Sequence, residues 1–459
     1  MRSRAMIAWA AYLIPAAALS LYALAQWLLA LVNRTPVLYG EGAVANAARL
    51  ARDGIAYLDP DPSRFVAANY PPLYLHLASI GDPFISGRIA SIAATFLVAA
   101  LLFISARPAG LLAATALGAG WLALAPVMVW GPALKPDLVA LALTATAVVV
   151  LDRRRDLAPI AGFALVFAAL AKPTALLPGA ALVAWLAWSD RATLARSGFG
   201  AAVAVVAAAV TVYLDSVPDI WRHVVTWNAL PWSLDQMLSI AFIGVLVICV
   251  PLGLAAFRRG VAGARAAYVA GALAIVVAGG REGATINYLL DLTVATGLSL
   301  AAVAPRLRAG VLFPIVALLQ LVLAAVILDP LRIVPGRVPV TGAWGDPSRA
   351  AIIAPEMATG QPLLVEDSGL LVAKGSVPTI DDLFLWSRLV ERGTIDAAPI
   401  VTQVANAHFR AVVSEADLEH LDAAPGFERQ RWTGLLARAV VERYRLDRHE
   451  GPLWIYVPR

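Results

Sequence analysis

The chain has 459 residues, 60% hydrophobic and only 15% charged, against about 45–50% and about 25% in a soluble domain, and its mean hydropathy is +0.75. That excludes an ordinary soluble protein, and a lone cysteine, Cys249, excludes a disulfide framework or a cysteine-based metal site. The formal charge of +5 carries no nucleic-acid signal, because most arginines lie in short loops between apolar stretches.

The hydrophobic residues gather in blocks of the length that crosses about 30 Å of hydrocarbon as a helix. In chain order they are about 7–32, 86–106, 110–130, 137–151, 159–171, 174–188, 198–214, 237–256, 266–280, 287–304 and 309–329. The first is too long for a cleaved signal peptide and lacks a clear small-residue cleavage site, so it is expected to be retained. With the N-terminus inside, the cytoplasmic loops carry 13 arginines, and the other side carries eight Lys or Arg. This is the asymmetry of the positive-inside rule. The run 158–188 has arginines at both ends and Lys172-Pro173-Thr174 at its middle. It must cross twice or bend back there, since proline and a charge mark an apex. The expected fold is therefore an α-helical polytopic membrane protein of about 11 transmembrane helices, residues 1–329. A C-terminal extracytoplasmic α/β domain, residues 330–459, follows.

Two segments lie outside the membrane. In the loop 33–85, residues 43–53 show helical apolar spacing and read as an amphipathic helix able to lie in the interface, closed by Gly54. Asn69-Tyr70-Pro71-Pro72 then sets an extended turn. The C-terminal segment opens with Pro- and Gly-bearing turns at 335–347. It alternates strand-like runs (Pro362–Val365, Arg410–Ser414, Leu453–Val457) with helical ones (Asp382–Arg392, Trp432–Tyr444).

These features together resemble the GT-C superfamily, polytopic glycosyltransferases that use polyprenyl-phosphate-linked sugars and include protein O-mannosyltransferases and lipid A aminoarabinose transferases. The resemblance rests on Glu41 soon after the first helix, the AxxLxxxG helix (47–54), the YPPLY turn (70–74) and Arg88 opening the next helix. It extends to Lys135-Pro136-Asp137, similar to the family's RPD helix start, to LAKPT (170–174) and to INYLLD (286–291). It implies transfer of a sugar from polyprenyl phosphate to an envelope glycan, lipid or protein at the outer face of a bacterial inner membrane. One position departs from the pattern. The family's loop commonly opens with Asp-Glu, the aspartate being the usual candidate base, whereas this chain has Gly40-Glu41. The role then falls to Glu41 or to another carboxylate.

Such a transfer needs a carboxylate for the acceptor hydroxyl and cations for the departing phosphate. Glu41 and Asp137 are the catalytic candidates; the bland alternatives are an acid favoured by a helix dipole and a water-facing N-cap. Asp59 and Asp61 flank prolines and suit ordinary turns. Lys172, Arg88, Lys135 and Arg281, all at outer helix ends, are the phosphate candidates. A lysine inside an apolar run is costly unless it pairs or reaches a polar cavity, though snorkelling to headgroups also accounts for it. Arg281 and Glu282 could instead pair with each other. Tyr57, Tyr70 and Asn287 are substrate-binding candidates, together with Tyr74, Asn228 and the tryptophans 221, 227 and 232, and all share a weak footing, because an interfacial belt is the ordinary reading of such aromatic residues. His76 suits packing better than ligation. No spacing marks a metal site, although a divalent metal is compatible with the chemistry. The chain has no GxxxxGK[ST] loop, and a nucleotide-sugar donor handled inside is not expected. The partners implied are the polyprenyl-phosphate donor, membrane lipids and an envelope acceptor. The alternatives are a lipid or solute transporter or flippase, or a catalytically inactive partner protein.

Overall fold

Each apolar block holds a helix in the computed structural model, which describes residues 2–58, 61–211, 217–307, 311–328 and 347–459. The membrane part runs α1 (Arg2–Asn33), α2 (Glu41–Arg52), α3 (Pro72–Ser79), α4 (Pro83–Ala106), α5 (Leu111–Leu122), α6 (Ala125–Trp130), α7 (Asp137–Arg153) and α8 (Ala158–Ala171). It continues through α9 (Leu176–Ser189), α10 (Arg191–Thr211), α11 (Val217–Trp221), α12 (Leu234–Phe257), α13 (Ala264–Ala278), α14 (Leu290–Leu307) and α15 (Leu312–Leu328). Among the described residues four helices are long and apolar enough to cross a membrane, Met6–Asn33, Pro83–Ala109, Arg191–Ala209 and Ile286–Pro305, and shorter apolar helices accompany them. The block 110–130 is two helices rather than one. Pro126, in the first turn of α6, lacks an N–H and its ring clashes one turn back, so the helix breaks at Ala123–Leu124.

Lipid-facing and packed surfaces separate cleanly. On α1, Ile7, Ile14, Leu21 and Leu28, one heptad apart, are 64–69% exposed, an apolar stripe suited to a hydrocarbon solvent. The span Ile286–Pro305 is the reverse, 83% buried, and runs through the middle of the bundle. α7 packs on α8, α8 on α10, and α9 on α13. At Lys172 the chain leaves α8, turns through a short 3-10 segment (Pro173–Ala175) and starts α9, as the proline and charge imply.

The loop helix differs from expectation. α2 does form, closed by Gly54 at φ +72°, but its first eight residues are buried. Instead of lying in the interface, it is pressed between α3 and a short helix of the C-terminal part, α17 (Gly369–Val372). The contact is backbone to backbone. A Cβ on Gly42 would lie 2.2 Å from the Gly369 nitrogen, so this approach requires glycine.

Residues 347–459 form a four-stranded sheet covered on both faces. Its strands are β1 (Leu363–Val365), β2 (Ala411–Ser414), β3 (Tyr444–Glu450) and β4 (Leu453–Pro458), ordered β1-β2-β4-β3 with β1 and β2 parallel and the rest antiparallel. Side chains alternate between the faces. Leu363, Val365 and Val413 pack under α16 (Ser348–Met357) and α17. Leu364, Val412 and Tyr456 pack under α18 (Leu383–Glu391), α19 (Ala398–Ala405) and α21 (Gly434–Arg443). A short α20 (Gly426–Gln430) precedes α21. β3, an edge strand with the charged sequence YRLDRHE and a bulge at Leu446/Arg448, alternates apolar residues only at Tyr444 and Leu446 and escapes sequence reading. The turns expected at 335–346 lie outside the described residues, as does Asp59. The first loop is stitched to this domain by a parallel bridge between Phe65 and Ile380.

Candidate active site

A cavity of about 820 Å³ lies where the membrane helices meet the C-terminal domain. Its floor is made by helix ends that proline and polar residues create. α7 begins after Pro136, α8 ends at Lys172, and a 3-10 turn at Ile286–Leu289 precedes α14. These three ends bring together residues far apart in sequence. The Lys172 ammonium donates to Asp137 Oδ1 at 2.6 Å, and the Asn287 amide donates to the same oxygen at 2.7 Å. Asp137 Oδ2 is buried with no hydrogen-bond partner among the described residues. Lys172 also stands 5.0 Å over the Tyr288 ring. The side chain of Asp137 does not cap its own helix, so the water-facing cap expected as its bland role is not what forms.

Lys135, Arg281 and Tyr70 line the same cavity. Among the described residues the Lys135 ammonium has no hydrogen bond or ion pair; its nearest ring is Tyr70, at 5.9 Å. Arg281 and Glu282 do not pair with each other. Arg281 donates to the Asn228 carbonyl at 2.8 Å, while Glu282 pairs with Arg388 of α18 at 3.3 Å. Asn228 in turn donates to the Asn69 and His223 carbonyls and so anchors Arg281 rather than facing the cavity with a free amide.

Three candidates stand behind the cavity wall. Glu41 and Arg88 are fully buried and paired at 2.7 Å. Glu41 Oε2 also accepts from Val37 N, and Oε1 accepts from Leu134 N at 2.7 Å. Arg88 donates to the Ala30 and Thr35 carbonyls. This pair clamps the end of α1, the start of α2, α4 and the segment before α7, and no Glu41 oxygen is left for a substrate. Tyr57 is buried too, donating to the Tyr70 carbonyl at 2.6 Å and packing edge-on against His223. It braces Tyr70 from behind. His76 is exposed, and Asp61 accepts from Ser63 N in a turn. Trp227 is buried against Phe65 and His223, while Trp221 and Trp232 are exposed. No group of three or more metal-ligating side chains occurs among the described residues.

The roof of the cavity escaped sequence reasoning, because it comes from the C-terminal domain. Arg431 sits 4.1 Å over the Tyr39 ring and 4.6 Å over Phe427, and pairs with Glu366 at 2.8 Å and Glu415 at 2.6 Å. Arg349 bridges Asp367 and Glu415. His449 and Trp454 stack at 4.1 Å, and Phe384 and Asp382 complete the wall beside Tyr39. Burial pushes the carboxyls of Asp367 and Asp382 above the usual carboxylate range. The only local signal was an aspartate before a helix, which reads as an N-cap.

A bundle of apolar helices, a long first loop folded under a C-terminal sheet domain and a polar cavity between them make up a fold shared with solved structures. ArnT from Cupriavidus metallidurans has the same fold. In the apo state it superposes with a TM-score of 0.60 at 16% identity, covering 95% of this chain and 96% of that one. Its structure bound to undecaprenyl phosphate gives the same TM-score and identity, over 95% and 97%. No protein-family model matches the chain, and no curated protein matches it in sequence.

Proposed function

We propose that the chain is a membrane glycosyltransferase that moves a sugar from a polyprenyl-phosphate-linked donor to an envelope glycan, lipid or protein. The observation that carries this reading is the Asp137–Lys172–Asn287 constellation on the floor of the cavity, with Lys135 and Arg281 beside it. Breaking a glycosyl phosphate bond adds negative charge to the phosphate, and ammonium and guanidinium groups held in a water-poor site stabilise that charge as it develops. Asp137 holds the Lys172 ammonium and the Asn287 amide in place; Tyr70 and Asn287 border the sugar. The ArnT structure with undecaprenyl phosphate supports a donor lipid of that class. The asymmetry of arginines supports a cytoplasmic N-terminus, with the cavity and the domain from about residue 330 on the outer face of a bacterial inner membrane.

The test is transfer by detergent-purified protein given polyprenyl-phosphate sugars and envelope extract. Release of polyprenyl phosphate with a matching labelled product is expected. Lys172→Gln should abolish release, whereas Lys135→Gln and Arg281→Gln should raise the donor KM about tenfold or more, the loss of one charge-assisted hydrogen bond of about 1.5–3 kcal/mol. A second reading, a catalytically inactive partner, is favoured by Gly40 and by the saturation of Glu41. Folded wild-type protein that releases nothing from any donor would establish it.

A further inference from the structure

We propose that the C-terminal domain supplies the proton acceptor of this reaction, the carboxylate of Asp382; the assignment rests on the glycosyltransferase reading above. Its two oxygens are differently employed. Oδ1 accepts from Leu385 N at 3.0 Å, capping α18, and from the Tyr39 hydroxyl at 3.4 Å. Tyr39 is itself fixed, because its hydroxyl accepts from Phe384 N at 2.8 Å and its ring lies under Arg431. Oδ2 has no hydrogen-bond partner among the described residues and borders the cavity.

Gly40 makes the room for this arrangement. It adopts φ +77°, and a Cβ there would fall 2.9 Å from the Lys135 ammonium and 4.0 Å from Asp382 Oδ2. The missing side chain is thus the gap that an unpaired lysine and an open carboxylate oxygen flank. The other carboxylates of the cavity are engaged or solvated. Asp367 and Glu415 pair with arginines, Glu282 with Arg388 and Asp137 with Lys172, while Glu428 sits partly exposed on α20. Asp382 is 7% exposed and has no ion pair among the described residues. Burial raises its pKa, which brings a carboxylate closer to the strength a general base needs near neutral pH.

The step balances as follows. The acceptor hydroxyl gives its proton to Asp382 Oδ2, and the acceptor oxygen's electron pair forms the new bond to the anomeric carbon. The bond from that carbon to the phosphate oxygen breaks, and its pair leaves with polyprenyl phosphate. The added charge is met by Lys135, Lys172 and Arg281, and Asp382 returns its proton to water.

Asparagine is as good a cap as aspartate, so Asp382→Asn keeps α18 and removes the base. With a polyprenyl-phosphate sugar as donor, the variant should lose about 10²–10⁴-fold in kcat at unchanged donor KM and thermal midpoint. The acidic limb of the wild-type pH profile should disappear with it. The groups facing Asp382 are Lys135, Tyr39, Arg431 and Asp381. Aspartate tolerates a positive φ better than most residues, and only the mobile end of Lys135 must yield, so Gly40→Asp placed in Asp382→Asn should restore part of the rate. An active wild type whose Asp382→Asn variant keeps its kcat within threefold across pH overturns the assignment while leaving the transferase reading intact. A rate lost without change in the pH profile, and not restored by Gly40→Asp, also overturns it. A wild type that releases no polyprenyl phosphate from any donor sinks both.

Discussion

Two buried ion pairs stand at the same end of the membrane bundle, and they do different work. Glu41–Arg88 and Asp137–Lys172 each join an acid at the first position of a helix to a cation more than thirty residues away, at 2.7 and 2.6 Å. In the first, each carboxylate oxygen has a partner and the pair is sealed from the cavity. In the second, one oxygen carries two donors and the other none, and both residues border open space. A buried carboxylate with both oxygens bonded resists being opened for chemistry, because every bond lost to a substrate leaves a protein group unpaired. A carboxylate with one bare oxygen beside a cavity has capacity to spare. Among the described residues each pair leaves one position unmet, Arg88 Nε behind the wall and Oδ2 of the Asp137 carboxylate that lines the cavity, so the place of the unmet position, not the count, separates the clamp from the site.

Substitutions can break this comparison. Of the two acids in these pairs, Asp137 is the one expected to matter for catalysis. Asp137→Asn should cut transfer by about 10²–10³-fold, the loss of one preorganised electrostatic group, while the thermal midpoint stays within a few degrees, read by product formation and a melt on the same sample. The largest effect on stability is at Glu41. Glu41→Ala should destabilise by about 3–5 kcal/mol, the cost of a buried charge without its partner, and the yield of folded protein should collapse. Whatever folds should transfer at the wild-type rate per molecule; a rate loss like that of Asp137→Asn would erase the distinction.

A third test concerns the seam between loop and domain. Asp381 accepts from Asn46 Nδ2 at 3.0 Å and Ala67 N at 2.8 Å, and burial pushes its pKa up to about 7. The folded state therefore binds this proton more tightly than the unfolded chain, where the group titrates near 3.9. Its contribution is full below about pH 4 and falls as pH rises through about 7, at up to about 1.4 kcal/mol per unit. The stability difference between wild type and Asp381→Asn, followed by melts from pH 4.5 to 8, should show this slope, and a flat difference would refute it. The smallest expected effect is at Tyr57. Tyr57→Phe removes the bond to the Tyr70 carbonyl and should cost about 0.5–1.5 kcal/mol, with a modest rise in donor KM as Tyr70 loosens.

Much of this molecule was legible locally, for reasons that differ along the chain. Helices in lipid must satisfy their own backbone, so composition and length alone mark where they lie. An ionisable residue inside an apolar run needs a compensating partner, which is why Lys172 and the Lys135-Pro136-Asp137 turn stood out and why they meet at one cavity. β1, β2 and β4 were readable from apolar strand residues, and β3 was not, because an edge strand replaces that pattern with charge.

What only the tertiary structure decided was which acid faces the cavity. Glu41 and Asp137 look alike in the sequence, each acidic and each opening a helix, yet packing turned one inward and left the other at the wall. Asp382 carries the local signature of an ordinary N-cap, and its partner Tyr39 lies 343 residues away. No short-range pattern can encode a contact of that separation. The role of such a residue is set when two folded parts dock, through the shape of the gap that Gly40 leaves between them.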